Sequence, residues 1–168
     1  MAMIEPTKVK LAAKKKEKEN VRFRTYLKCH AKPDELDAQY LALHNELFEG
    51  YDCNSCRNCC KEYHGEIQAV DVEKTADYLG IDVGRFIDEY LKADEFGIKY
   101  TTKHMPCDFL QKDGSCMLGE CMPESCQNFP YTNQPDRIES LLGMLEFVEV
   151  CPVAYEIFER LKKIYGFR

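Results

Sequence analysis

The 168 residues contain no tryptophan, so aromatic packing falls to 10 Tyr and 9 Phe. No stretch approaches the roughly 18 apolar residues of a membrane-spanning helix. The opening Met1-Ala2-Met3-Ile4-Glu5-Pro6-Thr7-Lys8 lacks an apolar h-region, which argues against a secretory leader and sets the expectation of a cytoplasmic chain. Internal repeats are absent, and so is a G-x-G-x-x-G loop. Gly114 and Gly119 have phosphate-loop spacing, but Glu120 stands where that loop needs a lysine. No Ser-His-Asp set, metalloprotease helix or catalytic carboxylate pair stands out, and Asp88-Glu89 and Asp94-Glu95 read as solvated faces.

What the chain does have is cysteine, 10 in all, with 45% hydrophobic and 31% charged residues, a soluble globular balance. In a reducing compartment, clustered thiols are more often metal ligands or redox groups than disulfides. Charge is unevenly spread. Residues 1–32 carry a local +7 and the remainder −13, within a net −6. The expected organisation is a basic N-terminal arm over 1–32, helical or partly disordered, followed by a domain over 33–168. The arm offers a surface for nucleic acid or an acidic partner, but one short charge block is weak evidence, and a solvated helix start resting on the acidic body is the favoured reading.

The periodicities predict a mainly α fold with a small β-hairpin, a compact cysteine-rich domain with irregular loops. Pro33-Asp34-Glu35 is a helix start, and Leu36, Tyr40, Leu43 and Leu47 share one face before Gly50. Glu66–Val70 reads as a short extended piece, with Asp71 capping a helix that runs to Leu79 and stops at Gly80. Asp82 starts another, with Val83, Phe86, Ile87, Tyr90 and Leu91 at amphipathic spacing. Ile98–Lys103 alternates like a strand. Asp113-Gly114 between Cys107–Leu110 and Cys116–Leu118 signals a hairpin that would bring Cys107 and Cys116 together. Ile138–Phe147 is apolar and helical. Pro152 opens the final helix, which places Cys151 at a helix N-terminus where a thiolate is stabilised.

The strongest chemical signal is Cys53-Asn54-Ser55-Cys56-Arg57-Asn58-Cys59-Cys60. Two residues between thiols let one tight turn aim both sulfurs at a common centre, and repeating the step arranges three corners of an iron–sulfur cube. Cys151-Pro152 has the form of a remote fourth ligand. Adjacent Cys59 and Cys60 diverge, so one of them serves a second centre or stays a thiol, and Cys107, Cys116, Cys121 and Cys126 supply candidates for that second group. Zinc is the competing ion. Its structural sites pair two knuckles, whereas the later cysteines here are separated by eight, four and four residues. His64 and His104 lie near cysteines as possible nitrogen ligands.

The ordered motifs Cys53-x2-Cys56-x2-Cys59-Cys60, Pro106-Cys107-Asp108-Phe109-Leu110, Asp113-Gly114-Ser115-Cys116, Pro123-x2-Cys126-x2-Phe129-Pro130-Tyr131 and Cys151-Pro152 resemble the CxxCxxCC cysteine-cluster family (YkgJ-like). The resemblance implies a zinc- or iron-chelating domain from about Tyr51 onward, of a kind often labelled an iron–sulfur oxidoreductase. It implies eight ligands: Cys53, Cys56, Cys59, Cys60, Cys107, Cys116, Cys126 and Cys151. Cys29 and Cys121 fall outside it. Two arginines that the family carries around its seventh cysteine are replaced here by Met122 and Gln127, which weakens any carry-over of anion binding. The resulting expectation is a [4Fe–4S] protein, with zinc as the alternative. Cys53, Cys56, Cys59 and Cys151 would form one set, and Cys60, Cys107, Cys116 and Cys126 the other. Electron transfer or redox support for a protein partner, without membrane association, is the expected role. A zinc-stapled interaction module is the alternative.

Overall fold

The computed structural model describes residues 3–168. In chain order its elements are α1 (Pro6–Lys15), α2 (Glu17–His30), α3 (Pro33–Phe48), α4 (Cys53–Cys56), α5 (Asn58–Glu62), β1 (Glu66–Gln68), α6 (Ala69–Leu79), α7 (Val83–Tyr90), β2 (Leu91–Ala93), β3 (Lys99–Thr102), a 3-10 turn at Gly119–Cys121, α8 (Glu124–Asn128), α9 (Arg137–Val150) and α10 (Pro152–Ile164). The fold is mainly helical with one small antiparallel sheet, as the periodicities predict. It divides into two units, Met1–Asp52 with Pro130–Arg168, and Cys53–Phe129. Among the described residues, no helix is long and apolar enough to cross a membrane.

The first unit is helical. The predicted face of α3 is the buried one: Leu36, Tyr40, Leu43 and Leu47 all lie in the core. Within the basic segment, Pro6–Lys15 and Glu17–His30 form α1 and α2, and the apolar positions Val9, Ala13, Phe23 and Leu27 are buried there. Phe23 meets Phe158 of α10 edge to face, with ring centroids 5.1 Å apart. Such a pair adds about 0.5–1.5 kcal/mol to the area it buries.

The buried charge of Lys162 is fully paired in this unit. The Lys162 ammonium, 5% exposed, donates to Glu159 at 2.6 Å, Asn20 at 2.6 Å and Glu19 at 2.7 Å. Those three acceptors match its three N–H bonds. Glu159 also takes Lys16.

The second unit is a three-stranded sheet in the order β1-β3-β2, flanked by α6 and α7. Ile67 lies opposite Tyr100, and Leu91 opposite Thr102. Ile67, Val72, Ala76, Phe86, Leu91, Phe109 and Leu118 make its core. The predicted cap at Asp82 is present, its carboxylate accepting the Arg85 amide at 3.1 Å.

Three local expectations change. α6 starts at Ala69 with Gln68 at its N-cap, so Asp71 sits in the first turn rather than capping it. Leu91 ends the amphipathic run of α7 by entering β2, because its backbone pairs with β3. The segment around Asp113-Gly114 is closed by one isolated Leu110–Cys116 bridge and a Gln111 to Ser115 bond at 2.8 Å, with no strand on either side. Asp113 turns its carboxylate onto the Ser115 amide at 2.9 Å, so a tight side-chain-braced loop replaces the hairpin ladder.

Candidate metal centre

The Cys53–Cys60 run folds as two short helical turns, α4 and α5, joined at Arg57, whose backbone is left-handed at φ 46°. That reversal fixes where α5 begins and places Cys59 and Cys60 in its first turns. Their sulfurs stand 4.0 Å apart. The Cys59 thiol hydrogen-bonds Cys60 and, against the opposing effect of burial, the charges of Arg57 and Lys61 help to bring the Cys60 thiol down to about 7.

The other half of the centre stands on the core of the second unit. Cys107 and Cys116 pack against the cluster that contains Phe109 and Leu118. The two segments are built alike. The Phe109 amide points at the Cys107 sulfur, and the Leu118 amide at the Cys116 sulfur. Each is therefore a cysteine whose second following residue is a fully buried anchor, with its N–H turned back on the thiol. The Met117 amide donates to the Phe109 carbonyl at 2.7 Å and locks the two turns side by side.

Cys126, on the short α8, reaches the same neighbourhood from a third direction. Its sulfur lies 3.0 Å from where a Cβ at position 65 would stand, so Gly65 leaves the room it occupies. The Cys107 amide in turn donates to the Cys60 carbonyl at 2.7 Å, joining the first cysteine run to the second.

Electrostatics tie these four together. Burial, with the neighbouring Cys107, Cys60 and Cys116 acting the same way, pushes the Cys126 thiol up to about 12. Burial likewise raises Cys107 to about 11, with Cys60, Cys116 and Asp108 adding to it. Cys116 is raised by burial and by Cys60, against the pull of the Leu118 amide and Arg57. Four thiols that oppose one another's ionisation make an unfavourable place for four thiolates and a favourable one for a cation.

They are not a ready shell. Among the described residues, no three His, Cys, Asp or Glu side chains stand close enough to hold an ion. The thiols share a neighbourhood without standing at bonding distance to one ion. The donor chemistry fits zinc or an iron–sulfur cluster, both of which take thiolate sulfur.

The eight expected ligands are placed as follows. Cys60, Cys107, Cys116 and Cys126 come together in the second unit. Cys53 and Cys56 bound α4 in the same unit, Cys53 exposed and Cys56 half-buried, beside half-buried Cys59. Cys151 belongs to the first unit, buried at the N-cap of α10. His64 donates its Nδ1–H to the Thr102 carbonyl at 2.6 Å, and His104 pairs through Nδ1 with Asp108 at 2.8 Å. The feature that cysteine spacing missed is the paired amide-to-sulfur turn. Its signal is the repeated order cysteine, one residue, buried apolar residue in Cys107-Asp108-Phe109 and Cys116-Met117-Leu118.

No curated protein and no solved structure matches the chain. A family model described as "Putative zinc- or iron-chelating domain" matches residues 52–152, more than half of the sequence, and spans every cysteine of the resembling pattern. The chain belongs to this CxxCxxCC family of zinc- or iron-chelating domains.

Proposed function

We propose that the second unit holds an iron–sulfur cluster, with Cys60, Cys107, Cys116 and Cys126 as its thiolate ligands, and that the protein carries electrons for a partner enzyme. The observation behind this reading is the mutual electrostatic contact of those four thiols on three separate segments. Cys53, Cys56 and Cys59, one turn away on the same run, offer further thiolates for a second metal. More cysteines than one mononuclear ion takes favour a cluster over a single zinc.

When bound, a cluster supplies one-electron chemistry. The chain's own residues do the rest. The Phe109 and Leu118 amides hydrogen-bond the Cys107 and Cys116 sulfurs, favouring the thiolate form and tuning the electron density on them. The apolar core beneath excludes water from one side. Arg57 and Lys61 offset negative charge at Cys60.

Anaerobic purification with iron, sulfide and zinc analysis and a visible spectrum tests the reading. Iron and sulfide in equal amounts with a broad absorbance near 400 nm support it. A colourless protein with stoichiometric zinc overturns it in favour of the second reading, a zinc-stapled interaction module. That alternative draws on the core contact of Cys107 and Cys116, which lets a metal there act as a fold staple.

A further inference from the structure

We propose that Arg57 is the positioning residue of this centre: it clamps the Cys53–Cys60 run onto the Asp113–Cys116 turn. The proposal rests on the reading of the centre as a metal site.

Three contacts converge on the clamp. The Arg57 Nε donates to the Gly114 carbonyl, and Nη2 donates to the Asn54 side-chain oxygen. Gly114, with φ 86°, presses its backbone against Asn54 so closely that a Cβ there would overlap the Asn54 carbonyl oxygen. The cysteine run and the Gly114 turn therefore meet backbone to backbone, with one guanidinium bridging them.

The backbone of Arg57 is shaped for this. A left-handed conformation is uncommon for a residue with a Cβ, and here it reverses the chain between α4 and α5 while the side chain reaches back across the turn. The planar fork of arginine serves two acceptors at once. A lysine ammonium carries the same charge without that fixed pair of directions.

The distinction between clamp and charge is measurable. Wild type, R57K, R57Q and G114A are purified anaerobically, loaded with Co(II), and followed by the thiolate-to-cobalt absorption while a chelator removes the ion. The expected result is release at least tenfold faster in R57Q and G114A, with R57K between them and wild type, and far-UV circular dichroism unchanged. Release from R57K or R57Q at the wild-type rate overturns the clamp. Should wild type bind no metal at all, the metal reading fails by itself. The clamp is then judged in the metal-free chain by mass-spectrometric alkylation of R57K, which keeps the charge and loses the fork: faster labelling of Cys116 than in wild type sustains it and equal labelling overturns it. If G114A does not fold, the two Arg57 variants still decide.

Discussion

The Asp37 carboxylate caps α9 from a distant helix, accepting the Arg137 amide at 2.9 Å with one oxygen and the Asp136 amide at 2.9 Å with the other. Asp136 itself is left-handed, at φ 60°, and its side chain does not cap. The first turn of α9 therefore borrows its cap from α3. Asp37→Ala should cost about 1–2 kcal/mol of stability, the usual range for a lost cap. Urea unfolding of the loaded protein checks this. Asp37→Asn, which keeps one accepting oxygen, should lose less, and metal content should match wild type in both.

The Lys162 cluster should make stability fall at low pH. Burial pushes the Glu159 carboxyl up, but its hydrogen bonds and charge contacts with Lys16 and Lys162 outweigh that and hold it below its ordinary value. A carboxyl depressed by folding contributes stability above its unfolded pKa, and that contribution is lost as pH falls through the folded one. Melting temperature measured from pH 7 downward should drop across and below the ordinary carboxylate range, less steeply in Glu159→Gln. Lys162→Met removes the cation and leaves two carboxylates and an amide facing a buried site. A loss of about 3 kcal/mol is expected, of the order found when a buried pair is broken on one side.

Cysteine reactivity in the metal-free protein should follow the thiol pKa, lowered at Cys60 by the Cys59 hydrogen bond and raised at Cys107 and Cys126 by burial. Cys60, Cys107 and Cys126 are all half-buried, yet their thiols lie at about 7, about 11 and about 12. At pH 8 Cys60 is mainly thiolate, whereas only about one Cys107 in a thousand is ionised. Timed iodoacetamide labelling with peptide mass spectrometry should find Cys60 modified first. Simultaneous labelling of the three would contradict the arrangement described here.

A side chain at position 65 should displace Cys126 and weaken its hold on a metal. A Cβ would stand 3.0 Å from that sulfur, closer than ordinary contact. Gly65→Ala forces Cys126 aside by a few tenths of an ångström, and Gly65→Val by more. Overpacking of this kind costs about 1–3 kcal/mol. The measurable result is faster metal loss to a chelator in the order Val, Ala, Gly, with Gly the slowest.

Much of this was legible in the residues. The face of α3 was readable because Leu36, Tyr40, Leu43 and Leu47 recur at the helical period, and the cap of α7 because Asp82 precedes its apolar stripe. Leu91 misleads, since it completes that stripe yet enters β2. Its partner Thr102 lies beyond the reach of any local pattern. Asp71 looks like a cap, but the pairing of β1 with β3 brings the chain into α6 earlier. In the centre, the Cys53–Cys60 spacing announced metal chemistry by itself. Cys60, Cys107, Cys116 and Cys126 are the remainder once Cys53, Cys56, Cys59 and Cys151 are set together, but the core anchors Phe109 and Leu118 and the room left at Gly65, on which their neighbourhood depends, are encoded by no spacing rule.

The helical unit draws on both flanks of the sequence, and the cysteine unit is the unbroken stretch between them. During synthesis this order has a temporal meaning. Cys53–Phe129 emerges from the ribosome before any of Pro130–Arg168. At about 5–20 residues per second, a window on the order of seconds opens before α9 and α10 exist to complete the other unit. Metal binding can therefore begin on a nascent chain whose helical half is still unfinished.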